Sequence, residues 1–445
     1  MLLSEGTTMH TTRTTCRVCG SPKLTPFWTA GDIYVVGFPK TVDKNALRAP
    51  LTLCLCEHCW LVQLQDTVNP ELLYREFFYR SGMNEMMRKE LAGIATDAYY
   101  GMSQSNSAER WVLDIGCNDG TLLSSYPEDS LAVLNRVGID PAKNIQESGP
   151  QPHGWWFVND FFSAERVLQV SGGKKYEVIT AIAMFYDLEN PRAFVEEVKK
   201  ALHPYGTFIV QMNYLKTMLE SNGVDNICHE HLTYFSLTTL QRMFRGTGLT
   251  ICHAELNQTN GGSIRVEIRH TLNSQVDETV EGILQDENSA ELDTLIPYIE
   301  FRNNIKQICY KLNKWIDGIH SSGKTIYAYG ASTRGTTLLQ LLDTKGKIAG
   351  VAERDPNKYG RYMVGSWLPI VSEAEARENA DYFFILPWHF FNGIQVREDE
   401  WVQKGGRFII PLSEPTIVWV DKSASEAVPY GLMIDQSESY GAQLR

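Results

Sequence analysis

From residue 110 onward, short apolar runs alternate with amphipathic stretches, the pattern of strands followed by helices. Residues 111–115, 137–139, 155–158, 178–183 and 208–212 are apolar runs of strand length. A helix is predicted over 191–202, opened by Pro191 and closed by the turn signal His203-Pro204-Tyr205-Gly206. The alternation predicts a parallel sheet with helices on both faces. Earlier, 71–100 has helical spacing with aromatic residues Tyr74, Phe77, Phe78 and Tyr79. The polar, acidic stretch 271–300 predicts a helix over a solvated surface. A second alternation follows, with a strand over 324–329, a turn over 330–335, a helix opening over 336–342, and strands over 348–353, 382–386 and 408–410. The tail after Lys422 is polar and is expected to be irregular.

A chain of 445 residues exceeds one ordinary hydrophobic core. Three domains are expected: 1–72, 73–255 and 256–422, followed by a tail over 423–445. No apolar run approaches the roughly twenty residues that span a bilayer. The first residues lack the basic start and apolar stretch of a secretory signal, so no membrane partner and a cytoplasmic location are expected. A net charge of −12 argues against nucleic acid as a partner, because such binding rests on phosphate neutralisation.

Nine cysteines are present, four of them in two Cys-x2-Cys pairs, Cys16/Cys19 and Cys56/Cys59. One tight turn can bring two thiolates to a tetrahedral ion, and two turns close a four-sulfur site with no open position, as structural zinc requires. Cys54 and His58 offer competing ligands.

The stretch 112–123, VLDIGCNDGTLL, reads as a strand, a sharp turn and a helix. Gly116 and Gly120 permit unusual backbone angles and close approach of a ligand. The middle glycine of GxGxxG, which admits a pyrophosphate, is missing. The loop therefore favours S-adenosylmethionine (SAM) over a dinucleotide, and Asp114, Gly116, Asn118 and Gly120 are candidate cofactor residues. Asp140, ending the next strand, is placed for ribose hydroxyls. Asp160 and Phe161, after the third strand, are placed for the adenine amino group and its apolar wall.

Just after the fifth strand, Cys228-His229-Glu230-His231 packs two imidazoles and a carboxylate into consecutive positions. A carboxylate beside a histidine can orient the ring and raise its basicity, as a general base needs. The spacing is not HExxH, so a metalloprotease-type site is discounted.

The Cys-x2-Cys pairs, VLDIGCNDGTLL, CHEHLTYFS, YGASTRGTTLL, AERDPNKYGRYMVGSWLPIV and ILPWHF together resemble the SAM-dependent sugar C-methyltransferases, over nearly the whole chain. The resemblance implies an α/β protein with three parts: a small zinc-binding N-terminal module, a central class I SAM methyltransferase Rossmann-like domain and a C-terminal Rossmann-like substrate domain. It also implies deprotonation of a nucleotide-linked 4-keto deoxysugar at C3, followed by methyl transfer to the enolate. His231 is then the base, Glu230 its orienting partner, and His229 and Tyr79 further members of the catalytic set. In the last domain the turn amides around Ser332, with Tyr329, Arg334, Asp355, Lys358 and His389, would hold the substrate's nucleotide diphosphate. Two departures from the pattern are visible. Cys228 stands where many relatives have Tyr, and a histidine of some relatives is replaced within 183–187. The sequence by itself also admits O- or N-methylation, or a non-catalytic binding protein, and leaves the oligomeric state open.

Overall fold

Alternate residues of the apolar strands face opposite sides, so each buried strand must be covered twice. Val112 and Val178 point to one core and their neighbours Leu113 and Ile179 to another. The computed structural model describes residues 9–75, 78–102, 109–128, 133–146 and 155–419. Phe77 and the 423–445 tail of the sequence reading lie outside them. The chain divides into two compact units. One comprises 1–26, 53–216 and 230–295; the other comprises 27–52, 217–229 and 296–445.

The first unit is built on a seven-stranded sheet. Its strands are β1 Glu109–Ile115, β2 Val133–Ile139, β3 Trp155–Val158, β4 Tyr176–Ile182, β5 Leu202–Asn213, β6 Leu249–Asn257 and β7 Ser263–His270. The spatial order is β6-β7-β5-β4-β1-β2-β3. Strands β1 to β5 are parallel, as the alternation predicts. Strand β7 inserts antiparallel beside β5 and carries β6. The expected helix appears as Pro191–Ala201. Residues 71–100 are not one helix: Pro70–Tyr74 ends before Arg75, and an extended Arg80 and the short turn Ser81–Met83 precede Glu85–Gly101, with Asn84 capping that second helix.

The cysteine knuckles share a core with one face of this sheet. Their strand Val62–Leu64 pairs antiparallel with Arg48–Cys56 through 53–55, and on its other edge with Thr233–Tyr234. Glu287, on the helix Glu278–Ser289, is buried and accepts from the Leu237 and Thr238 amides, the Thr238 hydroxyl and the Tyr214 phenol. It thereby caps the helix Leu237–Phe244.

The second unit carries a six-stranded sheet: β8 Ile326–Tyr329, β9 Ile348–Glu353, β10 Ile370–Ser372, β11 Tyr382–Ile385, β12 Arg407–Ile410 and β13 Thr416–Val418. The order is β10-β9-β8-β11-β12-β13, parallel except for β13. The strand order reverses between β8 and β11, the kind of switch point at whose carboxyl ends such folds bind ligands. The helix expected over 271–300 stops at Ser289, and a second helix, Ile296–Ser321, follows.

Candidate active site and zinc centre

The four cysteine sulfurs of the two knuckles all lie within 4.8 Å of one another, with Cys16 to Cys59 and Cys19 to Cys56 each 3.5 Å apart. That spacing fits one tetrahedral ion with Zn–S bonds of about 2.3 Å. Neither Cys54 nor His58 belongs to the group. Cys54 is a core thiol, which burial and then the Asp66 charge push up to about 12. Arg17, between the ligands Cys16 and Cys19, is buried and donates to Glu189, Thr67 and the Leu64 carbonyl. Glu189 also takes the Thr67 hydroxyl at 2.7 Å and the Arg13 guanidinium. The first knuckle is thus tied to the segment following β4.

The loop after β1 is shaped by close approach. Gly116 has φ +71°, and a Cβ there would meet Met184 Cγ at 3.0 Å; at Gly120, φ +77°, it would meet the Trp155 and Phe157 rings. The absent side chains leave a backbone cradle that a bound ligand can approach. Asn118 is buried with φ 49°; its amide donates to Asp140 Oδ2 at 2.9 Å, while Ala142 N donates to Oδ1 at 2.8 Å. Burial pushes Asp140 upward against these two amides. Asp114 lies beneath the loop. It accepts the Thr180 hydroxyl at 2.6 Å, and burial pushes it up to about 7. Asn118 and Asp119 also receive the Ser81 and Gly82 amides, and Asn118 Nδ2 donates to the Tyr79 carbonyl. Tyr79 therefore borders the loop, 44% exposed. Asp160 sits at the end of β3 as expected, paired with Arg166 at 3.0 Å and Arg75 at 3.7 Å. The Arg75 guanidinium lies 4.9 Å over the Phe161 ring.

The two histidines of the 228–231 cluster have different surroundings. His229, in the second unit, is 2% exposed with Nε2 bonded to the Ala49 carbonyl at 3.0 Å. That backbone contact engages one nitrogen of the ring. His231, in the first unit, packs its ring 4.3 Å from Tyr186 in the turn after β4. Tyr74 donates to the Glu230 carbonyl at 3.0 Å, and Thr233 to the Tyr186 carbonyl at 3.1 Å. Met184, Tyr186 and His231 therefore continue the wall that begins at Gly116. Tyr186 and Asp187 were not among the expected residues; their sequence signals are their place after the fourth strand and the departure from the family pattern within 183–187.

In the second unit, Ser332 caps the helix Thr333–Gln340 by accepting from Gly335, and Asp355 caps a short turn by accepting from Asn357. Ala331 N donates to Glu353, and Lys358 donates to the Ala331 carbonyl at 2.8 Å. Arg334 is held by the fully buried Asp225 at 2.7 Å. In the unit itself, carboxylates meet the turn amide and the guanidinium of the expected diphosphate cradle. The Tyr329 hydroxyl lies among Glu373, Glu398 and Arg397, so that residue ties the core together. His389 is held neutral by burial and then by the Arg334 charge.

Three family models match successive parts of the chain: a zinc binding domain over 16–74, a methyltransferase domain over 83–254 and a C-methyltransferase C-terminal domain over 258–413. The C-methyltransferase NovU of Streptomyces niveus is 27% identical over 91% of this chain and 96% of its own. The chain is a SAM-dependent methyltransferase. A tRNA U34 carboxymethyltransferase of Sulfurimonas denitrificans is 26% identical over 28% of the chain and 39% of its own length. The enzyme's strand order, with β7 antiparallel beside β5, is that of class I methyltransferases. Its cofactor is SAM, and its four-cysteine centre is a structural zinc site. Among the described residues no helix is long and apolar enough to cross a membrane.

Proposed function

We propose that the enzyme methylates C3 of a nucleotide-linked 4-keto deoxysugar through an enolate. The observation that carries this reading is the convergence of the His231 ring, through Tyr186 and Met184, on the loop at Gly116. A base and a methyl-donor loop then share the carboxyl edge of one sheet, where such folds bind ligands. When bound, SAM supplies an electrophilic methyl on its sulfonium. Gly116, Asn118 and Gly120 would shape its cradle, Asp140 would accept from its ribose, and Asp160 with Phe161 would border its adenine. The ketone acidifies the neighbouring C–H; His231 removes that proton with Glu230 orienting the ring, and Tyr79 contacts the sugar. Alignment then supplies most of the remaining rate. In the second unit, Ser332, Asp355, Lys358 and His389 at the strand ends are the residues proposed for the nucleotide.

The test incubates the enzyme, with and without SAM, in deuterated water with a panel of nucleoside diphosphate 4-keto-6-deoxyhexoses, read by mass spectrometry. A gain of one methyl, with deuterium at C3 of unreacted sugar, is expected. Methylation at oxygen or nitrogen without carbon exchange would move the assignment to O- or N-transfer.

A further inference from the structure

The turn after β4 ends in a carboxyl group that this mechanism does not yet use. In Phe185–Asp187 the Asp187 amide is held by the Met184 carbonyl at 3.0 Å, which fixes the residue's backbone. The side-chain Oδ1 of Asp187 is buried and has no hydrogen-bond partner among the described residues. Its neighbour Tyr186 contacts the His231 ring and accepts from Thr233, so the turn and the Glu230–His231 pair form one wall. Burial, and then the Glu230 charge, hold the Asp187 carboxyl well above the usual carboxylate range. That direction favours the protonated acid, placed in the turn whose Tyr186 packs against the His231 ring. A buried polar atom without a partner is costly, and its persistence in a native protein calls for a specific role, catalysis among them.

We propose that Asp187 is a further catalytic residue, whose carboxylic acid donates a hydrogen bond to the substrate's ketone oxygen as the adjacent carbon loses its proton. This rests on the enolate reading above. The base takes the C3 proton, and the C–H electron pair becomes the enolate π bond as charge moves onto oxygen. The Asp187 O–H···O bond strengthens with that charge. When C3 takes the methyl, the carbonyl re-forms and Asp187 keeps its proton, so no co-reactant is needed. Carboxylic acids kept neutral by apolar surroundings serve as oxyanion donors in other enzymes. Removing one such donor costs about 100- to 1,000-fold in rate.

The test compares full-length wild type, Asp187→Ala and Asp187→Asn with the same keto-sugar panel in deuterated water. It follows C3 exchange with S-adenosylhomocysteine bound, methyl transfer with SAM, SAM affinity by calorimetry, and Tm. Asp187→Ala is expected to slow exchange and transfer together by about 100-fold. Asp187→Asn, whose amide still donates, should lose at most about 10-fold, with SAM affinity and Tm unchanged in both. If the alanine variant exchanges at the wild-type rate, or both variants lose SAM affinity and thermal stability in step with turnover, Asp187 has no such role. Wild type that exchanges none of the panel would sink the keto-sugar reading and this inference with it; normal wild-type exchange with an indifferent Asp187 sinks only the latter.

Discussion

At Gly116 a left-handed backbone angle and the Met184 side chain act on the same atom. Gly116→Ala must carry a Cβ at φ +71° and push Met184 Cγ back from 3.0 Å. A cost of about 1–3 kcal/mol is expected from the backbone alone. Calorimetry should find SAM affinity reduced at least tenfold. His231→Ala should abolish turnover while SAM binding persists, since no cofactor contact is assigned to the ring; a variant at full rate would remove His231 from the base role. Asp114 sets a pH dependence of stability. Its folded carboxyl titrates at about 7 instead of 3.8, so the folded state holds a proton that the unfolded chain gives up. That stability is fully present below pH 3.8 and lost as pH rises through 7, at no more than about 1.4 kcal/mol per pH unit. Asp114→Asn, which can still accept from Thr180, should flatten this slope in urea melts taken from pH 4 to 8. At this scale the sequence was legible where backbone geometry dictates residue type, as at Gly116 and Gly120. It was not legible where two identical residues differ only in surroundings. Nothing in Cys228-His229-Glu230-His231 says that Ala49, 180 positions away, engages the first histidine.

The helix Leu237–Phe244 depends on a partner far along the chain. Glu287 meets its first amides and the Tyr214 phenol, so Glu287→Ala leaves buried donors unsatisfied. A loss of about 3 kcal/mol is expected, read as a lowered Tm. Glu287→Gln, which keeps an acceptor, should recover part of it. Strands β1 to β5 were legible from their apolar runs. The β6–β7 hairpin was not, because β6 alternates and ends in Glu255-Leu256-Asn257, where polar residues flank an exposed leucine. The break between Tyr74 and Glu85 was hidden for a different reason. The 71–100 spacing is helical, but Asn118 and Asp119 compete for the Ser81 and Gly82 amides and win them.

On the scale of the molecule, the zinc centre and the proposed base belong to one fabric. Val62–Leu64 pairs with Thr233–Tyr234, just beyond His231, and Arg17 clamps Glu189, just beyond Asp187. Cys56→Ser is therefore expected to lose bound zinc by elemental analysis and to lower turnover more than SAM affinity. Unchanged metal content would remove Cys56 from the ligand set. The cysteine spacing announced the metal; it did not announce that one strand would serve both knuckle and active site, because that pairing joins residues distant in the chain.

The same pairing has a consequence for how the protein is made. Gln63 finds its partner Thr233 170 positions later. At ribosomal speeds of roughly 5–20 residues per second, that strand waits on the order of ten to thirty seconds with its edge uncovered. An uncovered apolar edge invites pairing with other chains. Zinc captured early by the two knuckles would keep the nascent edge folded and in register, so metal starvation should cost yield during translation before it costs activity in the finished enzyme.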